Sequence, residues 1–140
     1  MSFLQSLKIS VSGMMTQRKR MDVIAQNLAN IETTKTAEGG PYRRKMVVIG
    51  TKPSESFEDA LSSQVQGSQI EGIVEDDSPF KQVFNPAHPD ADKDGYLKKP
   101  NVELIVETTN MLMARRSFEA NISAVKTTRQ MALKALEIGR

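Results

Sequence analysis

Leu4–Leu28, LQSLKISVSGMMTQRKRMDVIAQNL, repeats its apolar residues in sevens. Leu7, Met14, Met21 and Leu28 form one row, with Leu4, Val11 and Ala25 beside it, and Arg18 is the one interruption. That spacing is the seam of a coiled coil. The C-terminal third answers it with Met111, Phe118, Val125 and Ala132, flanked by Ala114, Ile122, Ala135 and Leu136. Two long amphipathic ends around a small middle predict a mainly α protein. Its terminal helices pair as an antiparallel coiled coil around a small β-containing insert. The pattern is that of an assembling subunit rather than an enzyme.

Working outward, the first helix is expected over about residues 3–30, capped by Ser2 with Gln5 at capping-box spacing. Gly13 lies in its interior, where it costs about 1 kcal/mol relative to Ala. Close approach of another helix is one explanation. Glu32–Pro41 has loop composition, and Tyr42–Ile49 has strand character with Val47, Val48 and Ile49 at its end. Residues 51–69 fit either a loop or a short helix around Phe57–Leu61. Short strands are expected at Ile70–Glu75 and Lys81–Phe84, and Asn85–Pro100 reads as a proline-rich acidic turn region. A second helix is expected from Asn101 or Val102, capped by Asn101, to Ile138. The boundaries are a helical body of residues 1–31 and 102–140 and an insert of residues 32–101.

The composition supports a thin core. Aromatic residues make up 5% of the 140, Trp is absent, and, with Met1 set aside, six of the eight Met lie in the two terminal segments. Met suits surfaces that pack against non-identical neighbours. Charge is uneven: residues 1–31 carry +3 and residues 51–101 carry −5, within a net charge of +2. A basic helical portion and an acidic insert can steer copies into contact. The absence of cysteine excludes disulfides, thiolate metal sites and cysteine nucleophiles. No run approaches the ~20 apolar residues of a membrane span, and the N-terminus lacks a secretory h-region.

Chemistry is poorly represented. Asp90-Ala-Asp92-Lys-Asp94-Gly95 opens like a calcium loop, but Asn101 stands at its twelfth position, where a bidentate Glu belongs. An acidic turn capped by Gly95 is the favoured reading, and no metal or cofactor is expected. The only histidine, His88, has no nucleophile or carboxylate partner specified by spacing. Arg18-Lys19-Arg20 and Arg43-Arg44-Lys45 are short basic clusters without the stacking aromatics of a nucleic-acid surface. A calcium-dependent adaptor and a nucleic-acid-binding helical protein are the rival readings. No catalytic residue is assigned. The expected assembly interface is Leu7, Val11, Met14, Met21, Leu28, Met111, Phe118, Ile122, Val125 and Leu136.

Two further sets of residues carry a resemblance. Ser12-Gly13-Met14, Leu28-Ala29-Asn30 with Thr33, and the C-terminal run from Asn110 through Glu119-Ala120-Asn121 resemble the ends of bacterial flagellar rod and hook proteins. In the middle, Gly40-Pro41-Tyr42-Arg43-Arg44, Asn85-Pro86-Ala87-His88-Pro89-Asp90 and Gly95-Tyr96 resemble the FlgC-type proximal-rod family. Phe118 stands where that family more often has Tyr. The resemblance implies a structural subunit of the basal-body rod, assembling with copies of itself and other rod proteins into a drive shaft that transmits torque. It further implies contacts with basal-body ring and export-gate components. It implies a place in the basal-body rod that crosses the periplasm, export through the flagellar apparatus without a cleaved signal peptide, and neither nucleic acid nor small-molecule substrate as partner.

Overall fold

The computed structural model describes residues 3–51 and 67–138. Along the chain lie helix α1 (Phe3–Ala29), strands β1 (Lys45–Thr51), β2 (Ser68–Glu75), β3 (Lys81–Phe84) and β4 (Tyr96–Lys99), and helix α2 (Leu104–Ile138). The described residues are mainly helical, with two antiparallel strand pairs, β1–β2 and β3–β4, between the helices. At 27 and 35 residues the helices are about 40 and 52 Å long. Neither is apolar enough to cross a membrane. Ser2 and the ambiguous Phe57–Leu61 segment lie outside the described residues.

α1 and α2 pack side by side. Asn27 bonds Glu107, and fourteen residues back along α1 Gly13 meets Asn121, fourteen residues onward along α2. The helices are therefore antiparallel, and α2 extends about two turns past the described start of α1. A Cβ on Gly13 would lie 3.0–3.2 Å from the Asn121 side chain. Gly13 thus lets the two backbones approach, which accounts for a glycine inside a helix.

The face that α1 buries differs from the row read in the sequence. Thr16, Val23, Ile24 and Asn27 are buried, whereas Leu7, Met14, Met21 and Leu28 are half-buried on the flank. The cause is a second neighbour, because α1 also packs against β1 and β2. Ser12 Oγ accepts from the Ser68 amide at 3.2 Å, and the Thr16 and Ser68 hydroxyls lie 3.0 Å apart. Arg18, expected to break the seam from within, is exposed on the opposite face.

Three local expectations change. The first strand starts at Lys45 rather than Tyr42, because Tyr42 is buried against α1. Tyr96–Lys99 at the end of the proline-rich region is a strand, paired with Lys81–Phe84 and burying Leu97 at 2% exposure. α2 begins at Leu104, and the Asn101 side chain does not cap it but reaches back to Arg44 and Asp76.

Many apolar side chains find no cover within the chain. Leu4, Met15, Leu104, Ile105, Leu112, Met113, Leu133 and Leu136 are each more than half exposed.

Candidate assembly site and its polar clasp

Where helices and insert meet, the structure places a buried polar cluster built on Asn27 and Glu107, which are 1% and 0% exposed. Asn27 Nδ2 donates to the Lys45 carbonyl at 2.8 Å and to Glu107 Oε2 at 3.0 Å. Its Oδ1 accepts from the Lys45 amide at 2.9 Å and the Tyr42 hydroxyl at 3.0 Å. All four hydrogen-bonding positions of the asparagine are filled. The side-chain amide thus stands in for a neighbouring strand, bonding both backbone groups of Lys45 on the edge away from β2.

Asn101 does the same on the other side. The Arg44 amide donates to Asn101 Oδ1 at 2.8 Å, and Asn101 Nδ2 donates to the Asp76 carbonyl at 3.0 Å. Only the Asp76 amide to Arg44 carbonyl bond, at 2.8 Å, is direct. The amide of Asn101 replaces the other rung and ties the start of α2 to the β1–β2 pair.

Arg44 closes the cluster. Its Nε and Nη2 donate to Glu107 Oε1 at 2.9 and 2.7 Å, and Nη1 reaches Asp76 Oδ2 at 3.2 Å. Burial disfavours the Arg44 cation, but the hydrogen bonds and charges of Glu107 and then Asp76 reverse this and raise its pKa. Bonds from the Ser78 hydroxyl and amide, assisted by Arg44, hold the Asp76 carboxyl below the usual carboxylate range. Burial, then the nearby charges of Glu75 and Glu107, push the Tyr42 phenol up. The arrangement holds elements together through hydrogen bonds and ion pairs.

The other expected residues serve the same frame. At the end of α1, Asn30 Nδ2 donates to the Gln26 carbonyl at 2.8 Å and Thr33 Oγ1 donates to Asn30 Oδ1 at 3.1 Å. Leu28 is half-buried just before this stop and Ala29 is exposed. In the Asn85–Gly95 turn, the Asn85 amide donates to the Gly95 carbonyl at 2.9 Å, and the Asp90 amide donates to His88 Nδ1 at 3.1 Å. Asp92 Oδ1 accepts from the amides of Asp94 and Tyr96, so this carboxylate serves the turn. Gly95 has φ +81, and a Cβ there would lie 2.9 Å from the Phe84 ring and 3.2 Å from Pro86. Phe84 and Tyr96 stack edge-on at 5.4 Å, and Pro89 is exposed in the turn. Thr34 to Asp90 at 2.7 Å and Lys99 to Glu32 at 2.6 Å bind this turn and strand to the loop after α1.

Of the expected interface, Met111, Phe118, Ile122 and Val125 lie half-buried on α2, as do Leu7, Met14, Met21 and Leu28 on α1, while Val11 and Leu136 are exposed. Ser12 anchors β2, Asn121 faces Gly13, and Glu119 pairs with Arg115 on the outer face, next to exposed Ala120. Sequence reasoning missed Asn27, Glu107 and Asn101 as the clasp, and missed Met15 on the outer face. Polar residues at helix-inward spacing were the available signal for Asn27 and Glu107.

Comparison with known proteins agrees with this frame. Residues 7–35 match the family model described as flagella basal body rod protein, and residues 93–138 match flagellar basal body rod FlgEFG protein C-terminal. Among curated proteins, the chain is similar to the flagellar basal-body rod protein FlgC of Bacillus subtilis, at 44% identity over all of both chains. It is 37% identical to that of Salmonella typhimurium over all of both chains, and 36% identical to that of Borreliella burgdorferi over 99% of this chain and 98% of the relative. With its full length matched and both helices falling in rod-family regions, the chain belongs to the FlgC family of flagellar basal-body rod proteins.

Proposed function

We infer that the chain is a structural subunit of the flagellar basal-body rod, joining other rod proteins in a helical shaft that transmits torque. The observation that carries this reading beyond family membership is the uncovered apolar surface of both helices. On α1 the exposed residues Leu4, Val11, Met15, Arg18, Asp22, Ala25 and Ala29 alternate by threes, fours and sevens. That is a second helix-packing stripe on the side away from α2. On α2, Ile105, Leu112 and Leu133 stand exposed on one seven-residue row.

In this reading residues 1–31 and 102–140 form the helical body, paired as an antiparallel coiled coil. The inner positions Glu107, Met111, Ala114, Phe118, Asn121, Val125, Thr128 and Ala132 alternate by fours and threes, which supports that pairing. Residues 32–101 form the insert, held in fixed orientation by the Asn27–Glu107–Arg44 clasp. Copies of the chain, other rod proteins, and ring and export-gate components are its partners. Its place is in the rod that crosses the periplasm, reached by flagellar export without a cleaved signal peptide.

The test is replacement of the native rod protein in a strain lacking it, read as motility and as recovery of the chain in isolated basal bodies. Restored swimming with the chain present in the rod is the expected result. Absence from basal bodies despite normal expression and folding overturns the reading.

A further inference from the structure

Among the described residues, the β1–β2 pair has two edges that no further strand covers, and they are unlike each other. Its ladder alternates, so Lys45 and Val47 on β1, and Ile73 and Glu75 on β2, direct their backbone groups away from the partner strand. On β1 the Lys45 groups are already taken by Asn27. The pair crosses α1 obliquely, with Lys45 against Asn27 at one end and Ser68 against Thr16 at the other. Beyond Lys45 the β1 edge therefore leaves the helix. It borders a groove of about 270 Å³ lined by Val23, Ile24, Val47, Ile49 and Arg20, among others. Among the described residues, Arg20 has no ion pair. The β2 edge presents the complement: Ile73 is 45% exposed and is followed two residues on by exposed Glu75.

We propose that the open β1 edge at Val47 receives the β2 edge of a second copy, with Ile73 toward the apolar floor and Glu75 toward Arg20. Val23, Ile24, Val47 and Ile49 in the groove suit the Ile, and its three cations, Arg20, Arg44 and Lys45, outnumber the one carboxylate, Glu107, and suit the Glu. Asn27 occupies the first rung and sets where the added strand begins. The two surfaces differ, so the contact is head-to-tail, and head-to-tail contacts that do not close into a ring propagate as helical filaments. The proposal rests on the rod-subunit reading and names one contact within it.

The test follows backbone amide exchange at Val47 and Ile73 in the unmodified chain, at rising protein concentration and in isolated rods. Both amides should exchange fast in the dilute chain and slow together by at least about tenfold as copies associate. Glu75→Gln, which removes the charge without setting a cation opposite Lys45, should shift that association to higher concentration while leaving the neutral-pH melt of the dilute chain unchanged. Protection of Val47 without Ile73, protection already complete in the dilute chain, or assembled rods in which both stay fast would each overturn the strand contact while leaving the rod assignment intact. A chain that never enters rods overturns that assignment and the contact with it.

Discussion

Glu107 is the residue on which the most depends, because its buried carboxylate receives Arg44 and Asn27 at once. Removing one partner of a buried pair strands the other charge, so Glu107→Ala should cost about 3–5 kcal/mol in chemical denaturation. Replacing both sides, as Arg44→Met with Glu107→Leu, should cost less than Glu107→Ala alone, since no buried charge is then left unpaired and Asp76, which also loses Arg44, keeps its bonds from Ser78. A double variant no more stable than the single one would show that the pair's geometry, rather than its charge, sustains the site. Asp76 makes stability depend on pH. Its folded pKa lies below the unfolded value, so its contribution is complete above the ordinary carboxylate range and is lost as pH falls through the folded pKa. Thermal melts from neutral to strongly acid pH should fall less steeply for Asp76→Asn. Tyr42 acts at the other extreme: its raised pKa favours the fold below about pH 10, and that contribution declines as pH rises further.

At the scale of elements, helix pairing depends on the Gly13–Asn121 contact. Gly13→Ala gains about 1 kcal/mol of helix propensity, but its Cβ meets the Asn121 amide at 3.0–3.2 Å, so the net change should be near zero. Gly13→Leu has no such room and should destabilise by about 1–3 kcal/mol through overpacking. Denaturant melts of the two variants compare these directly, and a neutral Leu variant would place the helices farther apart than described. The position was legible as an oddity in the sequence; the identity of its neighbour was not, because Asn121 lies 108 residues away in the chain.

For the whole molecule, side chains that face outward should matter to assembly and not to folding. Met15 is 68% exposed in the single chain. Met15→Lys should therefore leave the free chain within about 0.5 kcal/mol of the parent and still reduce its incorporation into rods. Phe118, half-buried on the inner face, should lose less on truncation to Ala than the about 3–5 kcal/mol of a fully buried ring. Incorporation of the Met15 variant at parental levels would remove the outer stripe of α1 from the assembly surface.

Helices and strands were determined locally. Apolar residues spaced by sevens, the stop at Asn30–Thr33, and β-branched runs such as Val47–Ile49 marked two long helices and most strands, because periodicity is a property of neighbours along the chain. The β3–β4 pair was only half visible, since Tyr96–Lys99 is short and follows a proline-rich turn. Tertiary structure decided which face of α1 turns inward. The β1–β2 pair shares that helix with α2, so the buried stripe rotates toward Thr16, Val23 and Asn27, and Leu7, Met14, Met21 and Leu28 move to the flank. It also decided that Asn27 and Asn101 complete strand edges, because a side-chain amide can replace a peptide group only where folding brings the two within hydrogen-bonding distance.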